Sequence, residues 1–316
     1  MAVPALPFRC ERTCEALIRS GPKRGRPCEN TAAYYETIKK VVSVRCGVHS
    51  DVDARRELPK NPNAAQQKEQ TLERHRNSVE KARRWNVKHN YSGSIIVSKQ
   101  GYVKGAASIE GYMKVYPNKY GAKNDGVTAP ELSPMNLGPV PSAVKGVPDA
   151  TCIENYYQAS KVYQHEVDDN NVPLPEFYET RERLFEDTEP HRHKFERGAI
   201  PLYSVFYSDA GKPLTLTYVE SRWFYCNEYE RLAQQTNKFR KLLKRVADGY
   251  NLQIIGHDGH EIEPTGEETV PETMLRYYED PSRPFGHELV LFCLLMLERE
   301  EFPWVVYRAQ HKAVYE

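Results

Sequence analysis

A chain of 316 residues, 40% hydrophobic and 28% charged, is long enough for a full-sized core, and its composition excludes a disordered or fibrous protein. The longest apolar run, Leu289 to Leu297, is nine residues, too short to cross a bilayer, and no charged-then-apolar leader opens the chain, so an intracellular protein without a membrane partner is expected. The net charge of +1 conceals a split: residues 1–90 hold 19 Lys+Arg against 10 Asp+Glu, leaving 25 against 33 for residues 91–316.

A basic leading segment points to an electrostatic partner such as nucleic acid, or to a solvated helix face. Four of the seven cysteines lie in it. Cys14, Cys28, Cys46 and His49 read as C-x13-C-x17-C-x2-H, with Cys10 as a spare that could replace Cys14. In an intracellular chain such a set suits tetrahedral zinc better than a disulfide framework, the other reading being unmetallated buried thiols. Lys23, Arg24 and Arg26 sit on the Gly-bounded loop GPKRGRPC, where they could meet phosphate. The segment resembles the small Cys/His zinc modules found as accessory elements in proteins of large DNA viruses. That resemblance implies a structural zinc, and a place in the cytoplasm or nucleus, at a virus factory or in a virion.

Residues 63–89 lack Gly and Pro and are rich in helix formers, with few apolar positions, so a mostly exposed helix packing by one thin stripe is expected. Residues 91–116 alternate β-branched and aromatic residues with Gly-marked turns, which predicts two or three short strands. Residues 117–130 read as a linker. The expected division is a zinc-binding basic module over 1–60, a basic helix with short strands and linker over 61–130, and a third domain over 131–316. In the last, Trp223, Phe224, Phe239, Leu242 and Leu243 read as core, with Gly249 ending their helical run, and HELVLFCLLML reads as a buried central helix. His-rich HRH, 191–193, and HDGHE, 257–261, lack the spacing of a helical metal site.

The octapeptide ENYYQASK, 154–161, carries the chemistry. At 3.6 residues per turn Glu154, Gln158 and Lys161 share one helix face with Tyr157 at its border, and the two charges stand roughly 10 Å apart along the axis, a gap that can hold a ligand. The bland alternative is a solvated stripe. Taken with LSPMNLGPV, the aromatic helix SRWFYCNEYERLAQQTNKFRKLL, LQIIGHDG and PFGHELVLFCLLML, the octapeptide resembles the NADAR family over roughly residues 132–299. Glu154, Tyr156, Tyr157, Gln158, Ala159 and Lys161 match that family's helix at every defined position. Ser133 and Pro139 fit its first element more loosely, and Asp258 falls where the family has an Asp, though Gly259 replaces the expected Trp-Gly.

The resemblance implies an α+β fold, with a mostly helical C-terminal domain behind the small zinc module. It also implies an N-glycosidase acting on ADP-ribose-type adducts, ADP-ribosylated guanine included, or on ribosylated intermediates. Breaking the bond at C1′ of a ribose requires a proton for the leaving nitrogen, for which Glu154 is the candidate. Lys161 could trap the opened sugar as an imine. Asp258 could order a hydroxyl or water, or simply belong to an Asp-Gly turn. Tyr157 could stack on a purine and Gln158 read a base edge, or both could be packing. Ser133, Gly259 and His287 complete the expected substrate contacts, with a capping role as the alternative for His287. Modified nucleic acid as substrate would unite the basic front with the pocket behind. The competing expectation is a non-catalytic, zinc-containing nucleic-acid-binding or virion-associated protein on the same fold.

Overall fold

The computed structural model describes residues 14–18, 26–30, 32, 34–38, 41–45, 56–57, 62–100, 105–118, 125–190, 200–208, 210–263 and 269–316. Cys10, Lys23, Arg24, Cys46, His49 and the HRH run at 191–193 lie outside them. The chain divides into two compact units, 1–74 and 75–316.

In the first unit, β1 (Tyr34–Ile38) pairs antiparallel with β2 (Val41–Arg45) and with β3 (Arg56–Glu57), in the order β2-β1-β3. A bridge from Leu17 to Pro27 and the bonds Cys14 N–H to Asn30 and Cys28 N–H to Ala16 align the two cysteine segments. Helix α1 (Ala64–Lys88) runs across the division, close to its expected bounds.

The second unit is a mixed α/β structure built on a parallel sheet. β4 (Ile95–Lys99), β5 (Tyr112–Tyr116), β6 (Gly126–Thr128) and β10 (Asn251–Gly256) stand in the order β4-β10-β5-β6, every neighbouring pair parallel. Ile254 is opposite Val97 on one side and Val115 on the other, all three buried. β10 is buried from Leu252 to Gly256 although Gln253 interrupts its apolar residues, as a strand covered on both faces is. The sheet crosses residue 130, pairing the strands over 95–128 in one sheet with β10. Three residues of the expected linker form strand β6, and the unit mixes its helices with a parallel sheet and a smaller antiparallel one. β10 joins its partners from more than a hundred residues away, and local pattern carries no trace of parallel pairing.

A short antiparallel sheet joins β7 (Lys161–Val162), β8 (Tyr203–Tyr207) and β9 (Pro213–Leu216). The helices are α2 (Ile153–Ala159), α3 (Pro175–Glu186), α4 (Tyr218–Ala233), α5 (Asn237–Ala247), α6 (Val270–Glu279), α7 (His287–Met296), α8 (Pro303–Gln310) and α9 (Lys312–Tyr315). Helix α4 starts at Thr217, whose hydroxyl accepts from Glu220 N–H while the Glu220 carboxylate accepts from Thr217 N–H, a capping box. Helix α5 stops at Gly249, whose φ of 86° places it in the left-handed region that glycine tolerates best. Helix α7 is buried from Glu288 to Leu295 and packs on β4, β10 and α4, as its all-round apolar sequence predicts. No helix among the described residues is long and apolar enough to cross a membrane.

Arg222 of α4, 2% exposed, gathers the end of α6 and the turn after it. Its guanidinium donates to the carbonyls of Tyr277, Tyr278, Asp280 (2.9 Å) and Arg283 (2.6 Å). Removing it orphans buried carbonyls, so Arg222→Met is expected to lower the unfolding free energy by about 3 kcal/mol in urea denaturation. A loss below about 0.5 kcal/mol would show that water replaces the guanidinium without penalty.

Candidate active site

Helix α2 holds Glu154 and Gln158 but ends at Ala159, so Lys161 does not continue it: Lys161 opens β7. The three side chains are joined all the same. Gln158 Nε2 donates to Glu154 Oε1 at 3.1 Å, and Lys161 Nζ donates to Gln158 Oε1 at 2.9 Å. The space between carboxylate and amine is therefore spanned by the glutamine amide. Glu154 is 8% exposed, which removes the solvated-stripe alternative. Its N–H donates to Pro134 O, binding the LSPMN turn to the helix.

Tyr157 is part of the core. Its ring packs against Phe206 and Tyr225, and its hydroxyl lies 3.1 Å from Ser221 Oγ. Lys161 Nζ lies over the ring, 4.9 Å from its centroid. Both Lys161 contacts suit a cation. Ser133 is buried, and its hydroxyl accepts from Met135 N–H at 3.3 Å, so it closes the turn and does not face a ligand. Asp258 is exposed at the bend after β10. Cys152 is a buried thiol, raised by burial above its usual pKa, consistent with a small hydrophobe.

Sequence reasoning missed Glu288. Only 2% exposed, it sits in the first turn of α7 beside the carboxyl end of β10. A Cβ on Gly256 would stand 2.6 Å from Glu288 Cγ, one on Gly259 2.7 Å from Oε1, and one on Gly286 2.5 Å from Oε2. Three glycines thus leave the space that this carboxylate fills. His287 Nδ1 is 3.3 Å from Oε2, whereas Glu288 Oε1 and His287 Nε2 are buried with no hydrogen-bond partner among the described residues. Gly259 acts as a wall for Glu288, and His287 as its neighbour. The signal was present: one carboxylate inside an otherwise apolar helix, following a glycine.

Tyr225 of α4 links the two carboxylates. Burial pushes its phenol well above the ordinary range, and Glu154 and Glu288 both push it further the same way. Burial and Glu288 also raise Tyr229, whose hydroxyl donates to Leu132 O at 2.7 Å. Two buried carboxylates therefore act on one phenol, and one of them, Glu288, stands at the carboxyl end of a parallel sheet, where α/β folds place ligands. A surface recess of about 400 Å³ lined by Pro130, Glu131, Asn136, Leu137, Leu232 and Thr236 contains neither carboxylate. Its one ionisable side chain, Glu131, gives it no comparable chemistry.

Of the expected zinc ligands, Cys14 and Cys28 are described: both are buried, neither is in a disulfide, and they pack together with Ala16 and Ile18. Glu15, next to Cys14, accepts from Val44 N–H at 3.2 Å, two residues before Cys46 in the sequence. Among the described residues no three His, Cys, Asp or Glu side chains converge as a metal requires. No family model, curated protein or solved structure matches the chain.

The glycine walls make a testable coupling. Gly256→Ala is expected to destabilise the protein by about 1–3 kcal/mol through overpacking against Glu288. In a Glu288→Ala background most of that loss should vanish, measured as a double-mutant cycle in denaturant. Equal losses in both backgrounds would mean that the glycine does not serve the carboxylate.

Proposed function

We propose that the second unit is an N-glycosidase that hydrolyses an ADP-ribose-type or ribosyl N-glycosidic bond, in keeping with the NADAR resemblance of ENYYQASK. The observations that carry the proposal are two buried carboxylates, Glu154 tied through Gln158 to Lys161 and Glu288 with an unbonded oxygen, that both raise the Tyr225 phenol. A buried carboxylate left half-satisfied costs about 1–3 kcal/mol, a penalty found where a site needs the group.

In the proposed reaction the C1′–N bond breaks and its electron pair goes to the leaving nitrogen, which takes a proton from the Glu154 carboxyl. A water oxygen bonds to C1′ and its proton passes to Glu288. Both groups then re-equilibrate with solvent. Two carboxyl groups flanking a sugar carbon are the usual equipment for this substitution. Lys161, placed on the Gln158 amide and the Tyr157 face, acts as an electrostatic clamp in preference to an imine-forming nucleophile. Asp258 takes no part.

In the first unit, Cys14, Cys28, Cys46 and His49 are proposed to hold one structural zinc, which would fix the basic module near its nucleic-acid partner. Modified nucleic acid as substrate fits a basic unit joined to a hydrolase. The enclosure of Tyr157 and Glu288 favours a second reading, a non-catalytic, nucleic-acid-binding or virion-associated protein whose pocket has closed over.

Turnover separates the two. Incubated with oligonucleotides carrying ADP-ribosylated guanine, the protein is expected to release ADP-ribose, and Glu154→Gln and Glu288→Gln to lower the rate by about two to four orders of magnitude. Lys161→Arg should retain most activity as a clamp and lose it as an imine former. Absence of release from every ADP-ribosyl substrate would leave the second reading. Metal analysis should find one zinc per chain, reduced in Cys46→Ser; an unchanged content in that variant removes Cys46 from the set.

A further inference from the structure

The C-terminal end of α1 carries an exposed aromatic platform that the proposed hydrolysis does not use. Trp85 is 55% exposed and Tyr91 58% exposed, and His89 is exposed between them. Their ring centroids are 4.4 Å apart for Trp85 and His89, 5.7 Å for Trp85 and Tyr91, and 6.3 Å for the stacked rings of His89 and Tyr91. Three aromatic rings left in water on one surface forgo burial that the core could have supplied.

The platform is held in place. His89 Nδ1 is 2.7 Å from Trp85 O, and Tyr91 N–H donates to Asn86 O at 2.9 Å. Asn90 adopts a φ of 59°, turning the chain sharply so that Tyr91 folds back beside Trp85. Beneath, the buried Asn86 amide donates to Gly249 O (2.8 Å) and Asn251 Oδ1 (2.9 Å), fastening the helix to the start of β10. Ring positions fixed in advance lower the entropy lost when a ligand stacks on them.

Its surroundings are cationic. Lys81 and Lys88 stand four residues before and three after Trp85, on the same helix face, with Arg84 one step around. All three are exposed and none makes an ion pair among the described residues, whereas the nearby Glu80 is engaged by Arg83 and by the Tyr250 hydroxyl. Between residues 75 and 91 Glu80 is the one acidic residue against five Lys and Arg.

We infer that Trp85, His89 and Tyr91, with Lys81, Arg84 and Lys88, form a docking surface for single-stranded nucleic acid, its bases stacked on the rings and its phosphates on the cations. Unpaired cations alone would serve duplex and single strand alike. Exposed rings favour the single strand, because only there are base faces free to stack. This surface is separate from the proposed hydrolytic residues, so either can fail without the other.

The test is fluorescence anisotropy of the full chain with a labelled oligothymidylate and with an abasic strand of the same length and charge. The wild type is expected to bind the thymidine strand more tightly, by roughly five- to a hundredfold per stacked base. Trp85→Ala should abolish that preference, and Trp85→Phe should restore most of it. Exchanging Lys81, Arg84 and Lys88 together for Gln should reduce the slope of log affinity against log salt by roughly 2 units while keeping the preference for bases. Circular dichroism checks that the variants are folded. Equal affinity of the wild type for thymidine and abasic strands, a preference that survives in Trp85→Ala, or displacement of the strand by polyglutamate at matched charge would each overturn the inference.

Discussion

The second unit is organised around one carboxylate held where three glycines have given up side chains. Glu288 fills the space that a Cβ on Gly256, Gly259 or Gly286 would need. Two of these glycines lie at and just beyond the end of β10 and the third begins α7, so the contact joins the central strand of the sheet to the most buried helix. Neither element can shift along the other without disturbing a buried carboxylate. The location follows a general rule of parallel sheets, in which strand ends and helix starts converge and leave backbone groups facing a common space.

Glu230 shows what an ordinary buried carboxylate does in the same molecule. One of its oxygens accepts from Arg299 Nε at 2.7 Å and the other from Trp304 Nε1 at 2.9 Å. Both are used, and the residue ties α4 to α8. Lys114 is similar, its Nζ donating to Ala106 O and to Asp125 Oδ2. Arg181 Nε, Arg222 Nε and the Tyr278 hydroxyl are also buried without a hydrogen-bond partner among the described residues, but Glu288 Oε1 is the one such carboxylate oxygen there, and the functional reading rests on that. Satisfied buried polar groups hold a fold together; an unsatisfied one calls for another explanation.

The sequence made much of this visible and hid the rest for identifiable reasons. The length and exposure of α1, the strands after it, the end of α5 at Gly249 and the burial of α7 all follow from local pattern, because helix formers, Gly and apolar runs act on neighbours. The Glu154–Gln158–Lys161 set was legible as a group although the helix stops two residues before Lys161. Spacing predicts a shared face, and here a tight turn and a short strand supply the same proximity. The partners of β10 were not legible, since parallel strands meet through long crossovers. Glu288 was hidden by its company: within a run of leucines it reads as an interruption, and its meaning depends on glycines in two other segments. Ser133 and Tyr157 show the remaining ambiguity, since hydrogen-bonding and aromatic side chains look alike in sequence whether they face a pocket or fill a core.

The claim that Glu154 and Glu288 belong to one site is tested most directly by the turnover of the double variant Glu154→Gln, Glu288→Gln on an ADP-ribosyl substrate. Groups that act in a single chemical step lose their effects together, so the double variant should be no more than about threefold slower than the slower single variant. Losses that multiply would assign the two carboxylates to independent tasks and contradict a shared centre at Tyr225.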